Sequence, residues 1–253
     1  MTQRGSRNAP RDTFYDTQVQ QDYYIRDPFG SGGGEQPDPY GQYPYGSRRR
    51  APAVDPAPVE TPVAGGGFDY RRIYGRVDAE PFPIPAFTFT RVRPEFLRRE
   101  VEYRGREPAG TIVVDPRARH LYFVQGNGQA IRYGVGVGRQ GFSWSGTATV
   151  NSKQAWPDWY PPKEMIARDP KLARSLSELQ SGIGMHGGPG NPLGARALYL
   201  WQGNKDTLFR IHGTVEPDTI GTSVSSGCIR MINQDAIDLY ARVPVGTRVV
   251  VLA

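Results

Sequence analysis

The chain has 253 residues and a formal net charge of +6, with 31 glycines, 23 prolines and only 38% apolar residues. This apolar share is too low for a chain that is packed throughout its length. No apolar run approaches the roughly eighteen residues of a membrane helix, and residues 1–30 contain none long enough for a signal peptide. The composition predicts one globular domain, a long polar extension and no transmembrane segment.

The extension occupies the N-terminal third. No leucine occurs before Leu97, and glycine-rich runs stand at 30–34 and 65–67. Such a sequence cannot bury enough apolar surface to offset the entropy cost of ordering it. We predict that residues 1–92 form a disordered tail or linker rich in proline, glycine, tyrosine and arginine, and that residues 93–253 form the folded domain.

The positive charge belongs to the folded part. Residues 1–85 carry 10 arginines and 11 acidic residues, which leaves 21 basic and 14 acidic residues in 86–253. A basic domain suits an anionic polymer such as nucleic acid or the bacterial cell wall. Arg48-Arg49-Arg50 and the tyrosines of the tail are compatible with a nucleic-acid arm, but acidic residues are interspersed among them. We therefore favour a solvated linker and no nucleic-acid partner.

From Phe96 onward, β-branched and aromatic runs alternate with turn residues. They predict eight strands: Phe96–Tyr103, Thr111–Asp115, Leu121–Val124, Ala130–Val137, Thr147–Asn151, Ala197–Trp201, Leu208–His212 and Thr247–Leu252. Asp115-Pro116-Arg117 and Gly126-Asn127-Gly128 are typical of hairpin turns. Two helices are predicted at Pro162–Arg168 and Gln234–Val243, with Asn233 as N-cap of the second. The predicted fold class is mainly β, a β-sandwich or partly closed barrel with one or two short helices.

An irregular stretch interrupts the predicted strands between residues 155 and 195. Trp156, Trp159 and Tyr160 stand among prolines, and residues 186–194 form a glycine-rich loop. Long loops of this composition commonly cover binding clefts. For the aromatic residues, packing onto the sheet and contact with a substrate are both open.

Cys228 is the only cysteine, and His212 is one of three histidines. A thiol attacks carbonyls as its thiolate, so a catalytic cysteine needs a neighbouring base, and imidazole serves near neutral pH. His212 ends a predicted strand before Gly213, and Cys228 follows a glycine just before a predicted helix. We predict that His212 is the base and Cys228 the nucleophile; the alternative is a buried thiol beside an unrelated imidazole.

The other histidines have weaker claims to chemistry. His120 enters a predicted strand, where we expect a surface or edge position. His186 precedes two glycines, and we list it as a substrate-binding candidate. A metal site formed by the three histidines and Cys228 is chemically possible, but no close ligand pair supports it. We therefore predict no metal and no cofactor.

The segment 209–235 resembles the signature of the L,D-transpeptidases, cysteine enzymes that remodel bacterial peptidoglycan. His212-Gly213-Thr214 matches the family's His-Gly-Thr, and Ser225 to Arg230 matches its Ser-x-Gly-Cys-Ile-Arg. Many members have a histidine where this chain has Ser226. The resemblance covers roughly Thr111 to Leu252.

The resemblance implies acyl transfer. Cys228 would form a thioester with a tetrapeptide stem, release the terminal D-amino acid and pass the acyl group to an amine, making a 3→3 crosslink or attaching a protein. Backbone N–H groups of Ser226, Gly227 and Cys228 are the candidate oxyanion donors. Ser225, Gly213 and Thr214 would orient the catalytic pair.

Arg230 would bind a carboxylate of the stem peptide, since its guanidinium can hold a carboxylate with two hydrogen bonds. The alternative for Arg230 is a structural ion pair with Asp235 or Asp238. His186, Trp159, Tyr160 and Asn233 complete the candidate substrate-binding residues.

The resemblance also implies a periplasmic or cell-envelope location, with peptidoglycan stem peptides as partners and an envelope protein as a further candidate acceptor. Two alternative functions are open. One is an L,D-carboxypeptidase with water as acceptor, and the other is a non-catalytic peptidoglycan-binding module.

Overall fold

A computed structural model describes residues 68–139, 144–161, 163–225 and 227–253. The described chain is mainly β, as the sequence predicts. Its strands are β1 (Arg99–Glu102), β2 (Ile112–Asp115), β3 (His120–Gly126), β4 (Gln129–Gly134), β5 (Val137–Gly138), β6 (Gly146–Ala155), β7 (Ser177–Leu179), β8 (Gly182–Gly184), β9 (Arg196–Gln202), β10 (Lys205–His212), β11 (Ser223–Ser225), β12 (Ile229–Arg230) and β13 (Arg248–Val251). Its helices are α1 (Tyr70–Ile73), α2 (Lys163–Arg168), α3 (Pro170–Arg174) and α4 (Asn233–Arg242).

One large mixed sheet dominates, with nine strands in the order β1-β4-β3-β2-β13-β6-β9-β10-β12. Most neighbours are antiparallel, but β13 pairs with β2 and β10 pairs with β12 in parallel. Strands β5 and β11 form a separate parallel pair, and β7 and β8 form a small hairpin. Strand β12, which follows the cysteine, lies at one end of the large sheet.

Both faces of the sheet are buried where β2 lies beside β13. Ile112, Val114 and Val249 point into the main core, whereas Val113 and Val250 belong to a second cluster on the other face. This alternation follows from the two-residue period of a strand. Helix α4 covers the main core through Ala236 and Leu239, and Val243, just past the end of the helix, packs into the same core.

The two predicted hairpin turns are confirmed. The Asp115 carboxylate accepts hydrogen bonds from the backbone N–H groups of Arg117 and Ala118, both at 2.9 Å. Between β3 and β4, Asn127 and Gly128 have φ angles of +52° and +70°. Asparagine and glycine tolerate this left-handed conformation, so the turn chemistry fits the sequence.

Two local predictions are wrong. Helix α4 begins at Asn233, and the residue at the N-cap position is Ile232, which supplies no side-chain hydrogen bond. The first predicted strand starts only at Arg99, because Pro94–Phe96 form a 3-10 turn. Helix α3 and the β7–β8 hairpin lie in the stretch that the sequence left irregular.

The packed structure extends upstream of residue 93. Tyr74 is 1% exposed, accepts a hydrogen bond from the Arg98 backbone at 2.8 Å and donates one to Asp235 at 3.2 Å. The Gln234 amide donates to the carbonyl oxygens of Gly75 and Pro85. This upstream segment is therefore anchored to the N-terminal end of α4.

Glu80 fixes the same segment at a second place. Its carboxylate pairs with Arg196, with one N–O distance of 2.5 Å, and accepts a hydrogen bond from the Trp156 indole at 2.9 Å. Phe82 packs edge-to-face on Trp156 with the ring centroids 5.0 Å apart. Trp156, at the start of the long irregular stretch, is thus held by residues that the sequence assigned to the tail.

Candidate active site

The pairing of β10 with β12 determines which side chains meet at the end of the sheet. In this parallel pair, Ile211 lies opposite Ile229 and His212 lies opposite Arg230. Both isoleucines point into the main core. Because side chains alternate along a strand, the residues beside the isoleucines point to the other face. Four polar side chains share that face: Arg210, His212, Cys228 and Arg230.

His212 is held as a neutral imidazole. It is 5% exposed, and its Nδ1 lies 2.5 Å from the carbonyl oxygen of Gly213. A carbonyl oxygen only accepts, so Nδ1 carries the proton and Nε2 is the nitrogen with the free lone pair. Burial lowers the pKa of His212 to about 4, against the opposing effects of hydrogen bonds to the Gly213 and Leu193 backbones. Burial therefore favours the uncharged ring at neutral pH.

The Cys228 thiol is partly exposed, and its sulfur lies 4.0 Å from the carbonyl oxygen of Leu208. Desolvation raises the pKa of Cys228, while the charge and the backbone hydrogen bond of Arg210, and then the charge of Arg230, lower it. Desolvation is the largest of these effects. The resting thiol therefore keeps its proton at neutral pH and needs a base to become a nucleophile.

Ser225 and Gly227 shape the turn that presents the thiol. The Ser225 hydroxyl donates to the Cys228 carbonyl oxygen at 2.6 Å and accepts from the Gly227 N–H at 3.2 Å. Gly227 has a φ of +121°, a conformation that side-chain-bearing residues rarely adopt. The Gly227 N–H is thus engaged within the turn, and Ser226 lies outside the described residues. Cys228 N–H and Ser226 N–H stay predictions as oxyanion donors.

Arg230 pairs with neither Asp235 nor Asp238. Its Nη1 lies 2.7 Å from a carboxylate oxygen of Glu216 and 3.5 Å from the Thr219 hydroxyl, both on the loop between β10 and β11. The predicted structural alternative, an ion pair of Arg230 with Asp235 or Asp238, is therefore wrong, because the partner of Arg230 is Glu216.

The two aspartates of α4 instead contact Arg98, at 3.5 Å from Asp235 and 2.8 Å from Asp238. They belong to the contact between α4 and the residues just before β1. Among the residues that the structure describes, the carboxylate partner of Arg230 is Glu216, which is itself largely exposed, since 63% of its side chain is accessible.

Asn233 ties the histidine loop to its neighbours. Its Oδ1 accepts from the Ala195 N–H at 3.0 Å, and its Nδ2 donates to the Thr214 carbonyl oxygen at 3.0 Å. A Cβ atom at Gly213 would lie 2.1 Å from that Oδ1, so only glycine fits beside His212. The Thr214 hydroxyl accepts from the Glu216 N–H at 3.0 Å. Gly213, Thr214 and Asn233 thus fix the backbone after His212.

The glycine-rich loop ends beside His212. Asn191 anchors the loop by donating to the carbonyl oxygens of Pro157, Met185 and His186 at 2.9 to 3.2 Å. A Cβ atom at Gly194 would lie 2.7 Å from the backbone of Gly213. The end of this loop therefore lies against the backbone that follows His212.

The remaining predicted substrate-binding residues lie around that loop. Trp159 forms an isolated β-bridge with Met185, and Tyr160 follows it with partial exposure. The His186 side chain is 73% exposed, with Nδ1 3.4 Å from Asp158. Their roles in binding stay predictions.

His120 contradicts its prediction. It is 8% exposed on β3, an inner strand of the large sheet, and its Nε2 contacts the Glu95 carbonyl oxygen at 3.1 Å. Burial lowers its pKa. His120 is therefore a buried histidine and not one at the surface or at a sheet edge.

Sequence reasoning missed the ion pair formed by Arg210 and Asp206. Two N–O distances of 2.7 Å join them, and the Arg210 side chain is 6% exposed. The sequence feature that could have indicated this ion pair is a single arginine in an otherwise apolar predicted strand, two residues before His212.

In the described ranges, no helix is both long enough and apolar enough to span a membrane. Within the same ranges, no group of three or more His, Cys, Asp or Glu residues is placed to hold a metal ion.

The fold and this polar face define a class of protein. The sequence matches the YkuD family, the L,D-transpeptidase catalytic domain, over residues 109–251. The chain therefore belongs to the L,D-transpeptidase catalytic domain family, as the motif around Cys228 predicts.

The curated relatives agree with this assignment. The chain is 35% identical over 144 residues to the probable L,D-transpeptidase YbiS of Escherichia coli K12, covering 55% of this chain and 43% of that protein. It is 34% identical over 146 residues to the probable L,D-transpeptidase ErfK/SrfK of the same strain, covering 56% and 43%. The chain thus spans less than half the length of these relatives.

A solved structure from Brucella melitensis is also similar in sequence. It is described as a probable carnitine operon oxidoreductase and is 53% identical, covering 65% of this chain and 99% of its own, with a TM-score of 0.42. That description concerns the Brucella protein. The family of this chain rests on the match over residues 109–251 and on the curated relatives.

Proposed function

We propose that this domain is an L,D-transpeptidase of bacterial peptidoglycan that acts through a thioester on Cys228. The observation that supports the proposal is the common face of β10 and β12, which Cys228 shares with a histidine whose Nδ1 contacts the Gly213 carbonyl oxygen. Nucleophilic acyl transfer needs a base within reach of a protonated thiol, and a shared face is compatible with that arrangement.

The proposed reaction has two halves. His212 Nε2 takes the thiol proton, and the sulfur attacks the carbonyl carbon that precedes the terminal D-amino acid of a tetrapeptide stem. When the tetrahedral intermediate collapses, the C–N bond breaks, and His212 returns the proton to the leaving amine. An acceptor amine then attacks the thioester and gives a proton to His212, which passes it to the departing sulfur.

Arg230 is the proposed binding residue for a carboxylate of the donor stem. It shares the face of Cys228 and His212, and a guanidinium presents a planar pair of donors to a carboxylate. In the structure its partner is Glu216, whose exposed carboxylate is the same chemical group as the proposed ligand. Substrate would take the place of Glu216.

The proposed acceptor is an amine, on a second stem for a 3→3 crosslink or on an envelope protein for protein attachment. With water as acceptor the same thioester would give L,D-carboxypeptidase activity. The proposed location is the periplasm or cell envelope, where the substrate lies. We further propose that residues N-terminal to the described chain serve as a tail and that the packed unit includes the segment anchored by Tyr74 and Glu80.

The test is incubation with purified tetrapeptide muropeptides, followed by mass spectrometry of the products. We expect crosslinked dimers and the free D-amino acid from the parent protein, and neither from the Cys228→Ala or His212→Gln variant. His120→Gln is the matched control, because it also replaces a buried histidine but leaves the proposed pair intact. Binding of muropeptides without turnover by the parent protein would instead support the non-catalytic wall-binding module.

A further inference from the structure

Arg210 is a buried charge with no place in the mechanism described so far. It is 5% exposed, and its guanidinium forms a two-point ion pair with Asp206 at 2.7 Å for each contact. The same group donates to the Phe209 carbonyl oxygen at 3.0 Å and lies 4.6 Å from the centre of the Tyr199 ring. Burying such a pair is often no better for stability than apolar packing, so its presence calls for a reason other than stability.

The backbone around the pair is also unusual. The register between β9 and β10 shifts between Asp206 and Arg210, and Leu208 has a φ of +63°. Positive φ is uncommon for a residue with a bulky side chain. Asp206 stabilises this bulge, because its Oδ1 accepts from the Leu208 N–H at 2.8 Å. The carbonyl oxygen of Leu208 then lies 4.0 Å from the Cys228 sulfur.

The strand register brings Arg210 to the nucleophile. His212 pairs with Arg230 in the parallel ladder, and two residues earlier stand Arg210 on β10 and Cys228 immediately before β12. The alternation of side chains along a strand places Arg210 and Cys228 on the same face. The Arg210 backbone N–H and the Arg210 charge both act on the Cys228 thiol, so the two residues are neighbours.

The charged and titratable groups near the thiol come from both strands. Strand β10 contributes Arg210, Asp206 and His212, and β12 contributes Arg230, whose charge is partly offset by Glu216. Arg210 lowers the pKa of Cys228 more than Arg230 does, and Asp206 raises it. Both arginines also hold the pKa of His212 down, after burial.

We propose that Arg210 is a positioning residue for the proposed acyl transfer, whose fixed positive charge stabilises the Cys228 thiolate, and that Asp206 both orients and moderates that charge. The need follows from the site. A buried histidine that is hard to protonate offers the thiolate little of the stabilisation that a histidine cation would give. Arg210 supplies a permanent cation from inside the protein, where solvent screens it weakly. The role of Arg210 in acyl transfer rests on the proposed function, whereas its effect on the Cys228 thiolate can be tested without that function.

The test is the pH dependence of Cys228 alkylation by iodoacetamide in the full chain, followed by intact mass. The chain has one cysteine, so each mass increase reports on that thiol alone. Three variants are compared with the parent: Asp206→Asn, Asp206→Asn/Arg210→Met and Asp206→Asn/Arg210→Lys. Methionine retains the backbone N–H and much of the side-chain length but removes the charge, and asparagine retains an oxygen for the Leu208 N–H.

We expect the profile of Asp206→Asn to move to lower pH than that of the parent. In that background, Arg210→Met should move it up by about one pH unit, which is about a tenfold loss of thiolate at a fixed pH below the pKa. Arg210→Lys should recover most of that shift. Circular dichroism melts verify that each variant is folded at the assay temperature.

Equal profiles for Asp206→Asn and Asp206→Asn/Arg210→Met would overturn the inference, as would a downward shift on adding Arg210→Met. If the methionine variant does not fold, Asp206→Asn alone decides, and a profile that is unchanged or moved to higher pH refutes the role of the pair. Because alkylation uses no stem peptide, these outcomes are independent of the muropeptide assay. Expected profiles without muropeptide turnover would refute only the proposed function.

Discussion

Glu216 pairs with the guanidinium of Arg230, to which we assign the binding of a substrate carboxylate. The substitution Glu216→Gln tests whether Glu216 and the substrate compete for this group. The side chains of Glu216 and Arg230 are joined by an N–O contact of 2.7 Å. Glutamine has the same size but no charge, so Arg230 loses an ion pair without losing its neighbour. If substrate replaces Glu216, the variant should bind the donor stem more tightly.

The size of the gain is limited by the exposure of the pair. The side chains are 23% and 63% exposed for Arg230 and Glu216, and solvent screens such a contact. Exposed ion pairs contribute about 0.2–1 kcal/mol, which corresponds to a fall in KM of about 1.4- to 5-fold. By contrast, Arg230→Lys removes the planar fork and should cost about 2–4 kcal/mol in kcat/KM, roughly a 30- to 1000-fold loss.

The assay is steady-state release of the terminal D-amino acid from tetrapeptide stems at low ionic strength. Asp218→Asn is the matched control, because it removes the same charge from the same loop but pairs with Arg91. A general effect of loop charge on an anionic substrate would lower KM in both variants. A direct competition lowers it for Glu216→Gln alone and has no effect in an Arg230→Lys background.

An increase in KM, or a fall in kcat at unchanged KM, would refute the competition. Either result would mean that Glu216 holds Arg230 in its working position. The carboxylate site at Arg230 would then be preorganised by its partner instead of blocked by it.

Three further predictions concern stability and the thiol. Glu80→Gln should lower the free energy of unfolding by about 1–3 kcal/mol in a urea titration, because the side chains of Glu80 and Arg196 are both only 12% exposed. Burial raises the pKa of Asp235 to about 7, against the opposing charge of Arg98, so the folded state binds this proton more tightly than the unfolded state. The stabilisation that protonated Asp235 gives is therefore lost as pH rises from about 4 to about 7. The Tm of the parent minus the Tm of Asp235→Asn should accordingly be higher by a few degrees at pH 5 than at pH 8. A carbapenem should acylate Cys228 and raise the intact mass by one adduct, and an unmodified thiol after prolonged exposure would contradict that.

The sheet was predictable because its strands carry their own signal. Residues 112–114 and 249–251 are valine and isoleucine runs, which favour buried strands regardless of their neighbours. The β7–β8 hairpin lacks that signal, since Ser177–Leu179 and Gly182–Gly184 contain few β-branched residues. Its pairing depends on the surrounding fold instead.

The upstream segment carries a different kind of signal. Average composition between residues 1 and 92 is polar, but Tyr74, Phe87 and Phe89 lie close together and pack with Phe96 and other apolar residues. A few aromatic side chains bury a large area each, so they can anchor a segment whose overall composition indicates disorder. The average concealed this local cluster.

The candidate site also contains residues that the sequence can identify and residues that only the structure identifies. Cys228, His212 and Arg230 belong to a contiguous motif and could be named from sequence alone. Arg210 and Glu216 owe their positions to strand register and loop closure, which no spacing in the sequence encodes. How the charges of Arg210 and Glu216 are placed relative to the Cys228 thiol follows only from the three-dimensional structure.

Trapping the acyl-enzyme tests the central claim most directly. The parent protein is mixed with a tetrapeptide donor in the absence of an acceptor amine, quenched in acid within seconds and measured by intact and peptide mass spectrometry. We predict a mass increase equal to the donor less its terminal D-amino acid, located on Cys228 and removed by hydroxylamine, and no such adduct on Cys228→Ser after the same treatment. Release of the D-amino acid by the parent with no adduct at any time, or with undiminished release by Cys228→Ala, would contradict thioester chemistry at this cysteine.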